Sequence, residues 1–181
     1  MKLKIVILFI AFQNFSFAQA SLGYKKLPKD FCKVEHTCRA EYKKDDFENS
    51  TTYKIGFYET MLSKTGLTYI ILKQVNENKE ERFSMIFFAT KEGCITSKSY
   101  VHIQLKNGEK LKIPTSSPKI DCGTSSIIVD ITNYIDILSA EPIEKIRIAI
   151  EYDDDFIVSE KGQTKFFKNL ECIKKLDIDT K

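Results

Sequence analysis

Glycine occurs only seven times in these 181 residues and never in a cluster. No glycine-rich loop is present that could cradle phosphates, which argues against nucleotide chemistry. Nor do two glycines flank a serine in the strand-turn-helix elbow that serine hydrolases use. Histidine is scarcer still, with His36 and His102 alone, so an imidazole base for a cysteine or serine nucleophile has few sources. Tryptophan is absent, and charge of one sign is nowhere massed. Lysines and carboxylates alternate along the chain and sum to a formal +3. No basic arm or stripe exists to neutralise a row of phosphates, which argues against a nucleic-acid partner. Beyond the first twenty residues there is no apolar run approaching the roughly 20 residues that cross a bilayer.

Those first twenty residues are what the chain does have. Met1-Lys2-Leu3-Lys4 is a short basic start, Ile5 to Phe12 an apolar run, and Ala18-Gln19-Ala20 a group of small residues. This is the pattern of a cleaved secretory leader, with the cut after Ala18 or Ala20. No cysteine stands at that cut for a lipid anchor, the first being Cys32. The expected product is a secreted or periplasmic chain of 161 residues and net charge +1 once Lys2 and Lys4 are gone. That length suits one domain with a real core.

Residues 21–52 are polar and charge-rich with no clear period, and read as an irregular N-terminal extension. From Tyr53 the sequence turns to aromatic and β-branched runs cut by turn residues, the signature of strands. Ser63-Lys64-Thr65-Gly66 and Asn107-Gly108 are hairpin turns. The unbroken Tyr69-Ile70-Ile71-Leu72 run predicts a strand covered on both faces. Ile146, Ile148 and Ile150 alternate with Arg147 and Glu151, so that strand has one wet face. Thr132 can cap a short helix that Pro142 stops. Ser159 caps a final helix reaching about Leu176, with Phe166, Leu170 and Ile173 as its apolar stripe. The expectation is a mainly β (α+β) chain: an antiparallel β-sandwich-like domain over 53–176, about seven strands, one short helix and a C-terminal helix, then a tail at 177–181.

Five cysteines in an oxidising compartment predict two bridges and one cysteine over. Facing Leu105 with Leu111 and Ile103 with Ile113 across Asn107-Gly108 gives a register in which opposed numbers sum to 216. Cys94 and Cys122 share that sum, so an extended ladder would bring them within bridging reach. Cys172 falls on the lysine-rich side of the last helix, opposite the apolar stripe. Three roles are open to it: a bridge to Cys32 or Cys38 in the extension, an inert thiol, or a thiol made reactive by neighbouring lysines.

Two further constellations bear on chemistry. Cys32, His36 and Cys38 are candidate zinc or copper ligands, though their spacing fits no closed site and His102 is the one other histidine. Asp153, Asp154 and Asp155 are a candidate calcium cluster, against the alternative of a solvated strand end. Tyr53, Tyr58, Tyr69 and Phe57 would form a sugar-stacking surface if they faced outward. No cofactor is expected. The favoured function is a non-enzymatic binding or structural protein for an unidentified protein, small-molecule or glycan ligand. The alternative is a thiol-redox or metal-binding protein built on Cys32, His36 and Cys38 or an unpaired cysteine.

Overall fold

A computed structural model describes residues 24–26, 40–117 and 119–176, and only the backbone of 57–61 and 90. Among the described residues the β-branched and aromatic runs form ten strands, against the seven expected, in two antiparallel sheets. The larger sheet has the order β1-β2-β3-β4-β5-β8, and comprises β1 (Lys25–Lys26), β2 (Ala40–Asp45), β3 (Ser50–Met61), β4 (Thr68–Val75), β5 (Glu81–Ile95) and β8 (Asp121–Asp130). The smaller has the order β10-β9-β6-β7, from β6 (Tyr100–Leu105), β7 (Lys110–Pro114), β9 (Ile143–Ala149) and β10 (Asp153–Ile157). The described residues also form helix α1 (Ile135–Ala140) and helix α2 (Glu160–Lys175).

Turn chemistry sets the meander of the larger sheet. Gly66 takes φ +99, a conformation costly for any residue with a Cβ, and the Leu62 amide donates to the Leu67 carbonyl at 2.8 Å to close the β3–β4 turn. Between β4 and β5, the Asn76 side-chain oxygen accepts from the Glu80 amide at 2.9 Å. Strand β4 therefore lies between two paired neighbours, and its Tyr69, Ile70 and Ile71 are buried.

The β6–β7 hairpin departs from the expected register. Ile103 faces Leu111 and Val101 faces Ile113, a sum of 214. The cause is the loop. Gly108 at φ +88 follows Lys106 and Asn107, and the Leu105 amide donates to the Glu109 carbonyl at 2.9 Å. A three-residue loop ending in a left-handed glycine fixes that pairing, whereas the 216 register, facing Lys106 with Lys110, would put Gly108 in the middle of its loop. Facing parity survives the correction, because the two registers differ by two.

Three other segments depart from expectation. Strand β2 and the start of β3 occupy residues 40–52, read from sequence as irregular. Their Glu41, Lys43, Lys44 and Asp45 hid the strand, since charges near a sheet margin carry no apolar signal. Strand β10 likewise runs through the triple aspartate. Thr132 does not cap the short helix: its hydroxyl oxygen accepts from the Phe83 amide of β5 at 2.9 Å, and residues 132–134 form a 3₁₀ turn before α1. The leader at 1–20, the tail at 177–181 and Cys32, His36 and Cys38 lie outside the described residues.

Helix α2 begins as expected, with the Ser159 hydroxyl accepting from the Gly162 amide at 3.1 Å. Gly162 is there for contact rather than freedom. A Cβ on it would sit 2.3 Å from the Leu62 carbonyl oxygen, so only glycine lets the first helical turn lie on the β3–β4 turn. Phe166 packs edge-on against Tyr69 with centroids 5.5 Å apart, and Asn169 donates to the Tyr69 hydroxyl at 2.9 Å. Burial holds the Tyr69 phenol well above its ordinary pKa, with the Asn169 bond opposing. One core results, shared by Tyr69, Ile71, Met85, Phe87 and Val129 of the larger sheet, Val101, Ile103, Ile146 and Ile148 of the smaller, and Phe166, Leu170 and Ile173 of the helix. The two sheets are stitched at both margins: Thr115 bridges Val129 beside β8, and Ser63 bridges Val158 beyond β10.

Candidate functional site

Three cysteines are placed, and all are oxidised. Cys94 of β5 and Cys122 of β8 are paired directly across the strands, Cα atoms 4.0 Å apart, and joined by a disulfide. Cys172 is buried on α2 and also disulfide-bonded. No thiolate is therefore available at position 172, which overturns the reactive role open to it from sequence alone.

The triple aspartate is spent on cations of the protein itself. Alternation along β10 sends Asp153 and Asp155 to one face and Asp154 to the other. Arg147 of β9 donates through Nε and Nη2 to Asp155 at 2.6 and 2.9 Å and through Nη1 to Asp153 at 3.0 Å. Lys145 reaches Asp155 at 2.6 Å, and Lys91 of β5 reaches Asp154 at 2.9 Å. The Arg147 guanidinium and then Lys145 hold the Asp155 carboxyl well below the usual carboxylate range, and Asp155 first and then Asp153 raise Arg147. Among the described residues no three or more histidine, cysteine or acidic side chains gather to hold a metal ion. The calcium expectation for these aspartates is replaced by a salt-bridge network.

That network is one half of a larger surface, the outer face of the four-stranded sheet. Cross-strand pairing lays out a row Lys112, His102, Arg147 and Asp155 over β7, β6, β9 and β10. A second row runs Pro114, Tyr100, Ala149 and Asp153, and a third Lys110, Gln104, Lys145 and Ile157. Opposite positions of an antiparallel pair lie close enough for side chains to touch. Tyr100 and His102, two apart on β6 and so on one face, bring their rings to 4.8 Å between centroids at a 51° tilt, and the Lys112 ammonium, opposite His102 and diagonal to Tyr100, sits 4.1 Å from the Tyr100 centroid. His102 is pushed below its ordinary pKa by partial burial first and then by Lys112 and Arg147, with Asp153 opposing. Charge divides the face. On the β9–β10 side every cation has a carboxylate within ion-pair distance. On the β7 side Lys110 and Lys112 are exposed, and no carboxylate among the described residues pairs with either.

Elsewhere on the surface a concavity of about 620 Å³ opens between α1 and α2 and is lined by Ser139, Pro142, Phe167, Glu171, Lys174 and Lys175. Its polar groups are engaged with one another: Lys174 with Asp136 and Ser139, Lys175 with Glu171. Tyr53 and Tyr69 do not form a stacking surface, since both are buried in the core. The side chains of Phe57 and Tyr58 lie outside the described residues.

The polar face was within reach of sequence reading. Tyr100, His102 and Gln104 share one parity against Val101, Ile103 and Leu105, and Lys110 and Lys112 share one against Leu111 and Ile113. Only the strand order, which brings β6 between β7 and β9, is missing from the alternation. Set beside known proteins, the chain matches no family model, no curated protein and no solved structure.

Proposed function

We propose that this chain is exported on its N-terminal leader and works outside the cytosol as a disulfide-stabilised, non-enzymatic binding protein, with the outer face of the four-stranded sheet as its contact surface. The observation that carries the reading is sulfur chemistry: Cys94 and Cys122 are joined, and Cys172 is bonded as well. Bridges of this kind persist in oxidising compartments. Five cysteines leave Cys32 or Cys38 as the partner of Cys172, and one cysteine over. On that pairing the Cys32, His36 and Cys38 set keeps one thiol and one imidazole, too few for zinc. No helix among the described residues is long and apolar enough to cross a membrane, which fits export without a helical anchor.

Cell fractionation, N-terminal sequencing and non-reducing peptide mapping test the proposal together. The expected product begins at Ser21 or Gln19, lies outside the cytosol, and yields a Cys94–Cys122 peptide and a Cys172 peptide joined to the region 21–39. A cytosolic product that keeps Met1 to Ala20 and titrates five thiols overturns it.

A further inference from the structure

We propose that the β7 side of this face, Lys110, Lys112 and His102 beside Tyr100, binds an acidic polysaccharide carrying carboxylates on successive sugars, and binds it more tightly as the pH falls from 7.5 to about 5. The assignment rests on the outer face being the contact surface. It follows from how charge is partitioned there. Arg147 and Lys145 are neutralised by Asp153 and Asp155, so among the described residues of this face the cations left to attract a ligand are the two exposed lysines of β7. They occupy alternate positions on one strand, about 7 Å apart along it. His102 lies directly across from Lys112. An extended polyanion running along β7 meets both ammonium groups in turn and passes the imidazole at its side.

Two other partner classes fit less well. A protein interface has an apolar centre with lysine depleted. Here the twelve positions hold Tyr100, Pro114, Ala149 and Ile157 as their apolar members, spread over all four strands, and lysines hold one edge. A nucleic acid asks for a longer row of cations than two lysines and a histidine supply.

His102 supplies the pH dependence. The charged groups facing it are Lys112 and Lys110 from β7, Arg147 from β9 and Asp153 from β10, and cations outnumber the carboxylate. A sugar carboxylate seated between Lys112 and His102 reverses part of that balance and favours imidazolium. By linkage, protonation then strengthens binding by the same factor as binding strengthens protonation. Uronate carboxylates stay ionised at pH 5, since a carboxyl beside an electron-withdrawing carbon titrates near 3.5, on the order of an α-carboxyl.

The test is titration of the whole exported protein with polygalacturonate and with neutral dextran, at pH 7.5 and pH 5 in fixed salt. Polygalacturonate should bind and dextran should not. The double variant Lys110→Glu/Lys112→Glu should lose about tenfold in affinity, while Lys161→Glu/Lys168→Glu on α2, with the same change of net charge, should not. His102→Gln should keep the affinity at pH 7.5 and lose the gain of about threefold or more expected at pH 5. Circular dichroism checks that each variant is folded. No binding of polygalacturonate at either pH, equal loss in the α2 variant, or tighter binding of an oligonucleotide or an acidic protein of matched charge overturns the assignment. Export is scored separately by location and N-terminus, so a secreted protein indifferent to polygalacturonate refutes the ligand and leaves the proposed function standing. Dextran binding that the β7 substitutions abolish would keep the face and refute its acidic preference.

Discussion

Replacing Lys73 with methionine should lower stability by about 2 to 3 kcal/mol, although the side chain keeps its length and stays apolar along its stem. Lys73 of β4 is 1% exposed. Its ammonium donates to the Leu176 carbonyl at 2.8 Å and the Lys174 carbonyl at 3.3 Å, and meets Glu81 at 2.6 Å. Those carbonyls belong to the end of α2, where the helix has no amide of its own to satisfy them and the macrodipole is negative. A hydrogen bond to a charged donor is worth about 1.5 to 3 kcal/mol. The Glu81 carboxylate is 42% exposed and can return to water, so its share is nearer 1 kcal/mol or less. Against the loss stands the desolvation of the ammonium, which methionine avoids and which makes some buried ion pairs replaceable at no cost. The carbonyls decide the sign, because Leu176 is buried and they cannot simply hydrate. Urea unfolding reads the difference: with a slope near 2 kcal/mol per molar, the midpoint should fall by about 1 to 1.5 M. Glu81→Gln should move it by less than half that. A Lys73→Met protein with an unchanged slope and a midpoint at or above the parent's would refute this account of how the helix end is held.

Gly162→Ala should destabilise by about 1 to 3 kcal/mol despite alanine's better helix propensity, because the new methyl meets the Leu62 backbone at 2.3 Å; thermal unfolding checks it, and a stabilised protein would contradict the close approach. Cys94→Ser/Cys122→Ser removes a bridge between residues 28 apart and should cost about 3 to 4 kcal/mol in denaturant unfolding, with any loss under 1 kcal/mol telling against its structural weight. The raised Tyr69 pKa sets an alkaline limit: its stabilising effect is complete below the unfolded value near 10 and fades as the pH climbs beyond it. Denaturation between pH 8 and 11.5 should show that fall, and Tyr69→Phe should flatten it while losing about 1 to 2 kcal/mol at neutral pH through the stranded Asn169 amide.

What could be read from the sequence was whatever local chemistry fixes. The Ser159 cap, the glycine turn at residue 66, the buried centre of β4 and the stripe on α2 are each set by neighbours in the chain. What could not be read depends on partners far along it. The Thr132 hydroxyl is a cap by rule, yet it serves Phe83 across the sheet, and no local signal distinguishes the two uses. The triple aspartate gave no hint of a strand because Arg147, Lys145 and Lys91 are what make its charges tolerable in β10. The Cys94 and Cys122 pair is instructive in another way. Sequence arithmetic paired them by extending the β6–β7 ladder, but the bridge lies in the other sheet, between β5 and β8. Residues 96–120 leave the larger sheet, fold back about position 107 and return, so both ends arrive at nearly mirrored positions. The numbers agreed because the detour is symmetric, not because one ladder continues.

That same bridge turns everything from Ile95 to Asp121 into a covalent ring hung from the larger sheet. A protease that cuts once inside the ring, at the exposed Lys106 or Lys110 for instance, opens a gap without releasing a fragment. On a gel such a nicked molecule would run at full mass until a reductant is added. Wear in a protease-rich setting could thus accumulate at this hairpin while β6 and β7 stay attached to the body that positions them.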